Sequence, residues 1–241
     1  MIDGHAHLNE IEDVEAALAR ARAAGLTGIV AVGMDLASNM ATLELHRRFP
    51  DLVHPAVGYH PWSVTPEGMA ENLGFIRKHL AGCVALGEVG LDYKAKAKKK
   101  LQQEVFAAVL ELAAREGKPV IIHTRFSQLR AHRMVKEAGI TRAVFHWYSG
   151  PLEVLEEIWA DDYFISATPA LAYSPPHQAA VQAAPLSRIL IETDAPVVYQ
   201  EKESEPADLL TTAGELSRVK KVDFSQVVEI TTANAKDFYN L

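Results

Sequence analysis

Short apolar runs recur along the chain, and between them lie longer stretches whose apolar residues repeat with helical spacing. The first run starts at Met1 and ends in Asp3-Gly4-His5-Ala6-His7. The others cover residues 28–33 (GIVAVG), 52–58 (LVHPAVG), 83–88 (CVALGE), 118–123 (KPVIIH), 142–146 (RAVFH), 163–166 (YFIS) and 188–194 (RILIETD). The intervening stretches read as helices. Residues 12–24 are Ala-rich, with charges on one side, and stop at Gly25, a glycine C-cap. Ser38 caps a second helix that runs to Phe49 and ends before Pro50. Thr65-Pro66-Glu67 opens a third, with proline at its first helical position, and residues 71–80 continue it. Residues 98–116 form a long helix ended by Gly117. Residues 128–138, a segment opening at Pro151, and residues 206–219 and 223–238 complete the set.

The predicted strand ends fall near residues 7, 33, 58, 88, 123, 146, 166 and 194, and each is followed by a helical or loop stretch. Eight such units make an α/β (β/α)8 TIM barrel, whose strands are buried on both faces and so read as unbroken apolar runs. A doubly wound open sheet is the competing architecture, and it would gather its functional residues on fewer strand ends. No linker, low-complexity tract or repeat beyond the β/α rhythm divides the chain. A single hydrolase-sized barrel domain over residues 1–241 is expected, which 241 residues can fill.

Net charge is −7, so attraction to nucleic acid needs a local basic patch rather than the overall balance. The single cysteine, Cys83, excludes an intrachain disulfide and a cysteine-based zinc site, and it reads as a packed core residue. No signal peptide precedes the first strand, and no apolar run approaches the ~18 residues a membrane span requires. A cytoplasmic protein without a membrane partner is expected.

The chemistry collects at the strand ends. Strand one brings His5 and His7, which an extended backbone places on one side, about 7 Å apart. Strand four ends in Glu88, strand five in His123, strand six in His146 and strand eight in Asp194; His60 follows strand three. In a barrel these ends converge on one mouth. Ionisable groups ending apolar strands are costly to bury without partners, and metal ions supply partners. Five candidate ligands plus one bridging carboxylate suit two divalent ions a few ångströms apart. Nitrogen and oxygen ligands without sulfur suit Zn or Mn, while Mg prefers more oxygen. Asp194 could both ligate and accept the proton of an activated water, which is hydrolysis chemistry.

Six motifs then match a family in order along the chain: Asp3-Gly-His5-Ala-His7-Leu8, Gly58-Tyr-His60-Pro61, Gly87-Glu88-Val-Gly90-Leu91-Asp92-Tyr93, Pro119-Val-Ile-Ile-His123-Thr-Arg125, His146-Trp-Tyr-Ser149-Gly150 and Glu192-Thr-Asp194-Ala-Pro196. Together they resemble the TatD family of metal-dependent hydrolases, within the amidohydrolase-like superfamily. The resemblance implies a (β/α)8 barrel with a divalent metal site and an ester-bond hydrolase, most often a deoxyribonuclease, with 3′–5′ exonuclease action in some members. It further implies that His5, His7 and Asp194 hold one ion, that Glu88 bridges, that His123 and His146 hold the second, and that His60 faces the substrate. Mg, Mn or Zn would serve, and DNA would be the substrate. The chain departs from the family at Phe126-Ser127, where many members carry an acidic residue soon after the arginine, and at Lys236-Asp237 before the C-terminal aromatic; Glu205-Pro206 matches a common pair.

Other features carry two readings each. Lys94, Lys96, Lys98, Lys99 and Lys100 are either a solvated helix start or a phosphate-holding patch; lysines at a helix N-terminus oppose its dipole. Arg125 either clamps a phosphate or pairs with a ligand carboxylate. Trp62, Tyr93, Trp147 and Tyr148 either stack on bases or pack. Ser149-Gly150-Pro151 places a helix N-terminus, a possible anion seat, at the end of strand six. Three functions follow: a two-metal phosphodiesterase acting on DNA ends; a metal hydrolase of an ester, amide or aminoacyl-nucleic acid bond; or a metal-binding barrel without catalysis.

Overall fold

The computed structural model describes residues 1–241. Eight parallel strands stand side by side in chain order: β1 (Ile2–Ala6), β2 (Gly28–Val32), β3 (Val53–Val57), β4 (Ala85–Asp92), β5 (Val120–Arg125), β6 (Ala143–Phe145), β7 (Phe164–Ala167) and β8 (Ile189–Ile191). Seven helices connect them: α1 (Val14–Ala23), α2 (Leu36–Arg48), α3 (Met69–His79), α4 (Lys99–Glu116), α5 (Gln128–Glu137), α6 (Leu152–Ala160) and α7 (Pro175–Ala183). After β8 come a short hairpin, β9 (Val198–Tyr199) and β10 (Lys202–Glu203), then α8 (Leu209–Lys220) and α9 (Phe224–Tyr239). This is the (β/α)8 barrel, not the open sheet.

The ring closes where β8 meets β1. The Asp194 amide donates to the His5 carbonyl at 2.9 Å, and the His7 amide to the Ala195 carbonyl at 2.7 Å. Just below, the buried Asp3 carboxyl accepts the Thr193 amide at 3.0 Å and the Thr193 hydroxyl at 2.6 Å. Burial pushes the Asp3 pKa up to about 8 against those donors. The first and last strands are therefore stapled by side chains as well as backbone.

Alternation along each strand explains the unbroken apolar runs. In β5, Val120 and Ile122 face the surrounding helices while Ile121 faces the barrel interior; in β6 and β8 the pattern repeats with Val144 and Leu190 inside. The interior cluster is a floor, sealed from below by Ala235, Phe238 and Tyr239 of α9. Phe238 meets Phe164 with ring centroids 5.3 Å apart, and the Tyr239 hydroxyl donates to the Gly4 carbonyl at 2.8 Å. Two residues further along each strand the same face carries chemistry: Ile121 is followed by His123, Val144 by His146, Leu190 by Glu192. One pleat separates the floor from the site.

Several boundaries differ from the sequence expectations. The capping residue of α2 is Asp35, with Ser38 three positions on: the Ser38 amide donates to Asp35 Oδ1 at 2.9 Å and the Asp35 amide to Ser38 Oγ at 2.9 Å, a reciprocal capping box. Asp13 caps α1, so that helix starts at Val14 rather than at residue 12. Thr65, Pro66 and Glu67 form a turn, its hydroxyl accepting the Gly68 amide at 3.0 Å, and α3 begins at Met69. Strand β4 continues past Glu88 to Asp92 because β5 runs on beside it, pairing Gly90 with His123 and Asp92 with Arg125. His177 lies in α7, a helix absent from the sequence expectations. There it is fully buried, accepting the Thr168 amide at Nε2 and donating from Nδ1 to the Tyr148 carbonyl.

Candidate metal centre at the barrel mouth

Every sequence-predicted site residue reaches one end of the barrel. A cavity of about 670 Å³ is lined by His7, His60, Glu88, His123, Arg125, His146, Ser149 and Asp194, with Trp62 and Trp147 on its walls. His5 lies beneath it, fully buried. His5, in β1, and His7, just past it, stand on one side of the chain, with their Nε2 atoms 3.2 Å apart.

Glu88 is the centre of the arrangement. Its Oε2 lies 3.4 Å from Nε2 of both His5 and His7. Its Oε1 faces the other way, 2.8 Å from His146 Nε2, 2.9 Å from His123 Nδ1 and 3.3 Å from His60 Nε2. Asp194 Oδ1 completes the first group, 3.3 Å from His5 and 3.5 Å from His7. Close backbone packing puts Glu88 there. The Glu88 amide donates to the Gly33 carbonyl at 3.1 Å, and a Cβ on Gly58 would fall 2.4 Å from the Glu88 carbonyl oxygen. Only glycine lets β3 come so near.

The outward hydrogen bonds of the histidines decide which nitrogen is free. His7 Nδ1 meets the Val32 carbonyl at 3.1 Å, His146 Nδ1 meets Glu192 Oε1 at 3.3 Å, and His123 Nε2 meets Asp92 Oδ2 at 3.4 Å. Each partner only accepts, so each of those nitrogens carries the proton and the opposite lone pair points into the site. His60 is the reverse. Its Nδ1 accepts the Trp62 amide at 3.2 Å, which leaves an N–H on Nε2. His7, His123 and His146 therefore offer lone pairs to a cation, whereas His60 offers a donor to an oxygen.

The carboxylates of the site favour a second proton on His7, His123 and His146, a positive charge that a divalent cation would replace. Burial opposes a proton on His7, yet Asp194 and Glu88 outweigh it and push the pKa up to about 10. His146 and His123 are also raised against burial, by Glu88 with Glu192 and by Asp92 with Glu88. Burial dominates at His60 and pulls it down to about 4, so it stays neutral. Burial alone would raise Glu88, but the imidazoles of His60, His146, His5 and His123 hold it well below the carboxylate range. The site is built for positive charge at its centre.

A divalent cation fits these donors. His5, His7 and Asp194 bring ligand atoms within 4.8 Å of one another, Glu88 Oε1 lies 2.9 Å from His123 and 2.8 Å from His146, and Asp194 Oδ1 and His5 Nδ1 are buried without a hydrogen-bond partner. The donor set is nitrogen and oxygen only, which suits Zn or Mn.

Two carboxylates went without a role in the sequence reading. Glu192 supports His146 and accepts the Trp147 amide at 3.2 Å; Asp92 supports His123 and accepts Trp62 Nε1 at 2.6 Å. Asp92 lies four residues from the candidate ligand Glu88 on β4 and Glu192 two residues from the candidate ligand Asp194 just past β8, and that even spacing was the available signal. The paired readings also separate. Tyr148 is core, its hydroxyl bonded to the Pro151 carbonyl at 2.7 Å, and Tyr93 is held by Gln103 and by Lys99 over its ring. Trp62 is 60% exposed in the cavity wall. Arg125 lines the cavity, and its guanidinium makes no ion pair or hydrogen bond.

Fold and site together define a metal-dependent hydrolase of the barrel class. The comparisons give the family: residues 2–240 match the one described as TatD related DNase, and the chain belongs to it. It is 30% identical, over all of its length and 99% of the relative's, to a Bacillus subtilis protein named uncharacterized metal-dependent hydrolase YabD. It is also 30% identical to the 3′-5′ ssDNA/RNA exonuclease TatD of Edwardsiella piscicida, over 95% of this chain and 94% of that one. Among solved structures, the TatD homolog YJJV of Escherichia coli superposes with a TM-score of 0.91 at 24% identity, covering 100% of this chain and 98% of that one. That likeness shows the same fold. No helix is long and apolar enough to cross a membrane.

Proposed function

We propose that residues 1–241 form one hydrolase domain that removes nucleotides from the 3′ end of single-stranded DNA, using two divalent ions. The observation that carries this reading is Glu88, whose two oxygens face separate histidine groups from one buried position. His5, His7 and Asp194 would hold one ion and His123 and His146 the other, with Glu88 between them. Bound there, such ions would polarise a phosphoryl group and acidify a water. The protein does the rest. Asp194, its Oδ1 unpartnered, receives the proton of the attacking water. His60, neutral and with its N–H on Nε2, donates to a non-bridging phosphate oxygen, and Arg125, unpaired in the cavity, pairs with the charge on the chain of phosphates. Ser149 lies beside the N-terminus of α6, within reach of the same anion. The polarity of digestion follows the activity in the name of the Edwardsiella relative.

The test is hydrolysis of 5′-labelled single-stranded DNA by chelator-stripped protein, re-supplied separately with Mg, Mn and Zn, beside His123→Ala. A ladder shortening from the 3′ end with wild type alone is the expected result. Binding of two ions with no cleavage under any metal would reject the DNA assignment and direct attention to ester and aminoacyl substrates.

A further inference from the structure

Phe126 stands on the rim of the mouth in a state the fold does not explain. It follows the last residue of β5, is 65% exposed, and has φ of +56°, a left-handed conformation that bulky side chains rarely adopt. Its neighbours enforce that geometry: the Tyr93 amide donates to the Arg125 carbonyl at 3.0 Å, and Ser127 Oγ donates to the Leu91 carbonyl at 2.5 Å. The ring itself is held by nothing but the Lys94 ammonium, 5.3 Å from its centroid. Glycine at this position would be less strained and would expose less apolar surface. Adjacent in sequence is Arg125, unpaired in the cavity, and Lys94, Lys96 and Lys98 are likewise without ion pairs. The second exposed ring, Trp62, is locked by its Nε1 bond to Asp92 Oδ2 at 2.6 Å. Phe126, Arg125 and Lys94 thus hang from the paired ends of β4 and β5, where Asp92 is in register with Arg125, and Trp62, from the segment after β3, is tied to that end through Asp92.

We propose that Phe126, Lys94 and Arg125 form a holding strip for a single nucleic-acid strand, at the nucleotide on the 5′ side of the scissile phosphate. The base stacks on the Phe126 ring, and its phosphate lies between Arg125 and Lys94. This rests on the nuclease reading above and adds to it a contact that selects a strand over a short ester. A flat ring takes any base, and the cations take the backbone, so the strip holds sequence loosely and length strictly. It also answers the charge problem: a chain of net charge −7 needs a local positive seat to accept a polyanion.

The experiment compares kcat/KM for a ten-residue oligothymidylate with kcat/KM for the p-nitrophenyl ester of thymidine 5′-phosphate, which has no nucleotide 5′ of its scissile bond. In the metal-loaded protein, Phe126→Gly should lower the ratio of the two about tenfold, mainly through KM for the oligomer, while raising Tm by relieving strain. Phe126→Tyr should restore the ratio. Lys94→Ala should reduce the slope of log KM for the oligomer against log salt by about 0.7, the value for one phosphate contact on a single strand. Phe224→Gly, which removes a similarly exposed ring at the start of α9, is the control and should leave the ratio as it is. An oligomer hydrolysed with the wild-type ratio by Phe126→Gly overturns the strip and leaves the nuclease reading standing. A wild type that neither binds nor cleaves the oligomer overturns both.

Discussion

Glu88→Gln is the substitution that interrogates the centre most directly. Glutamine keeps the volume, but it offers one acceptor oxygen where the carboxylate offers two, and its other atom is an NH2. Whichever way the amide turns, either the His5–His7 side or the His123–His146 side loses its oxygen ligand. At a hundredfold excess of free metal over Kd, each bound ion stabilises the folded chain by about 2.7 kcal/mol. Two ions give about 5 kcal/mol, and for a chain of this size that corresponds to a rise in Tm of roughly 10–20 °C. In Glu88→Gln the metal-dependent rise should fall to half or less, and elemental analysis after gel filtration should find one ion or none per chain. The chelated proteins serve as the baseline. There the substitution weakens only hydrogen bonds to a charged group, about 1–3 kcal/mol, or a few degrees. Two ions retained by Glu88→Gln, with an undiminished rise, would refute the bridging role and with it the two-ion reading.

Other outcomes test the frame around the site. Thr193→Val deletes the hydroxyl that donates to Asp3 at the β8–β1 seam and leaves a buried carboxyl oxygen unsatisfied, which costs about 1–3 kcal/mol; thermal unfolding should show a loss of roughly 3–10 °C. Gly58→Ala places a Cβ against the Glu88 backbone, so metal content should drop, and activity should fall by about a hundredfold, the usual scale for a misplaced reacting group, in a protein whose circular dichroism is unchanged. Cys83 supplies the pH test. Burial pushes its thiol up to about 12, against an ordinary value of 9.0. The folded state thus keeps a proton that the unfolded state releases, and this contribution to stability is complete below pH 9 and fades as the pH climbs towards 12. The slope is at most about 1.4 kcal/mol per pH unit, and urea midpoints of wild type and Cys83→Ala should converge across that window. At pH 8 the native thiol should resist alkylation that the unfolded chain accepts.

The barrel was legible because its signal is redundant: eight apolar runs, five of them ended by a charged or imidazole group, admit few other closures. The cluster of candidate ligands was legible for the same reason, since His5, His7, Glu88, His123, His146 and Asp194 interrupt apolar patterns, and the fold gathers them at one mouth. What stayed hidden depended on contacts between segments remote in sequence. Asp92 and Glu192 look like ordinary strand-end acids until His123 and His146 are seen against them. The extra half-turn of strand from Val89 to Asp92 is imposed by pairing with β5, which local propensity does not report. The cap of α2 was misplaced by three residues because Asp35 and Ser38 are both good capping residues and share the work. The sequence expectations include no helix between β7 and β8, yet Pro175 and Pro176 open α7 there.

The seam between β1 and β8 has a consequence for how the enzyme comes into being. His5 and His7 are synthesised long before Asp194, and α9, whose Tyr239 ties back to Gly4, follows both. Contacts spanning 190 residues and more, such as Thr193 to Asp3, form only once nearly the whole chain is available, and such long-range closures come late in folding. A nascent chain that stops short of Asp194 therefore carries the five earlier candidate ligands without the sixth, and no closed mouth. The hydrolytic centre is assembled by the same event that closes the barrel, so a chain still short of that closure has no finished cutting site.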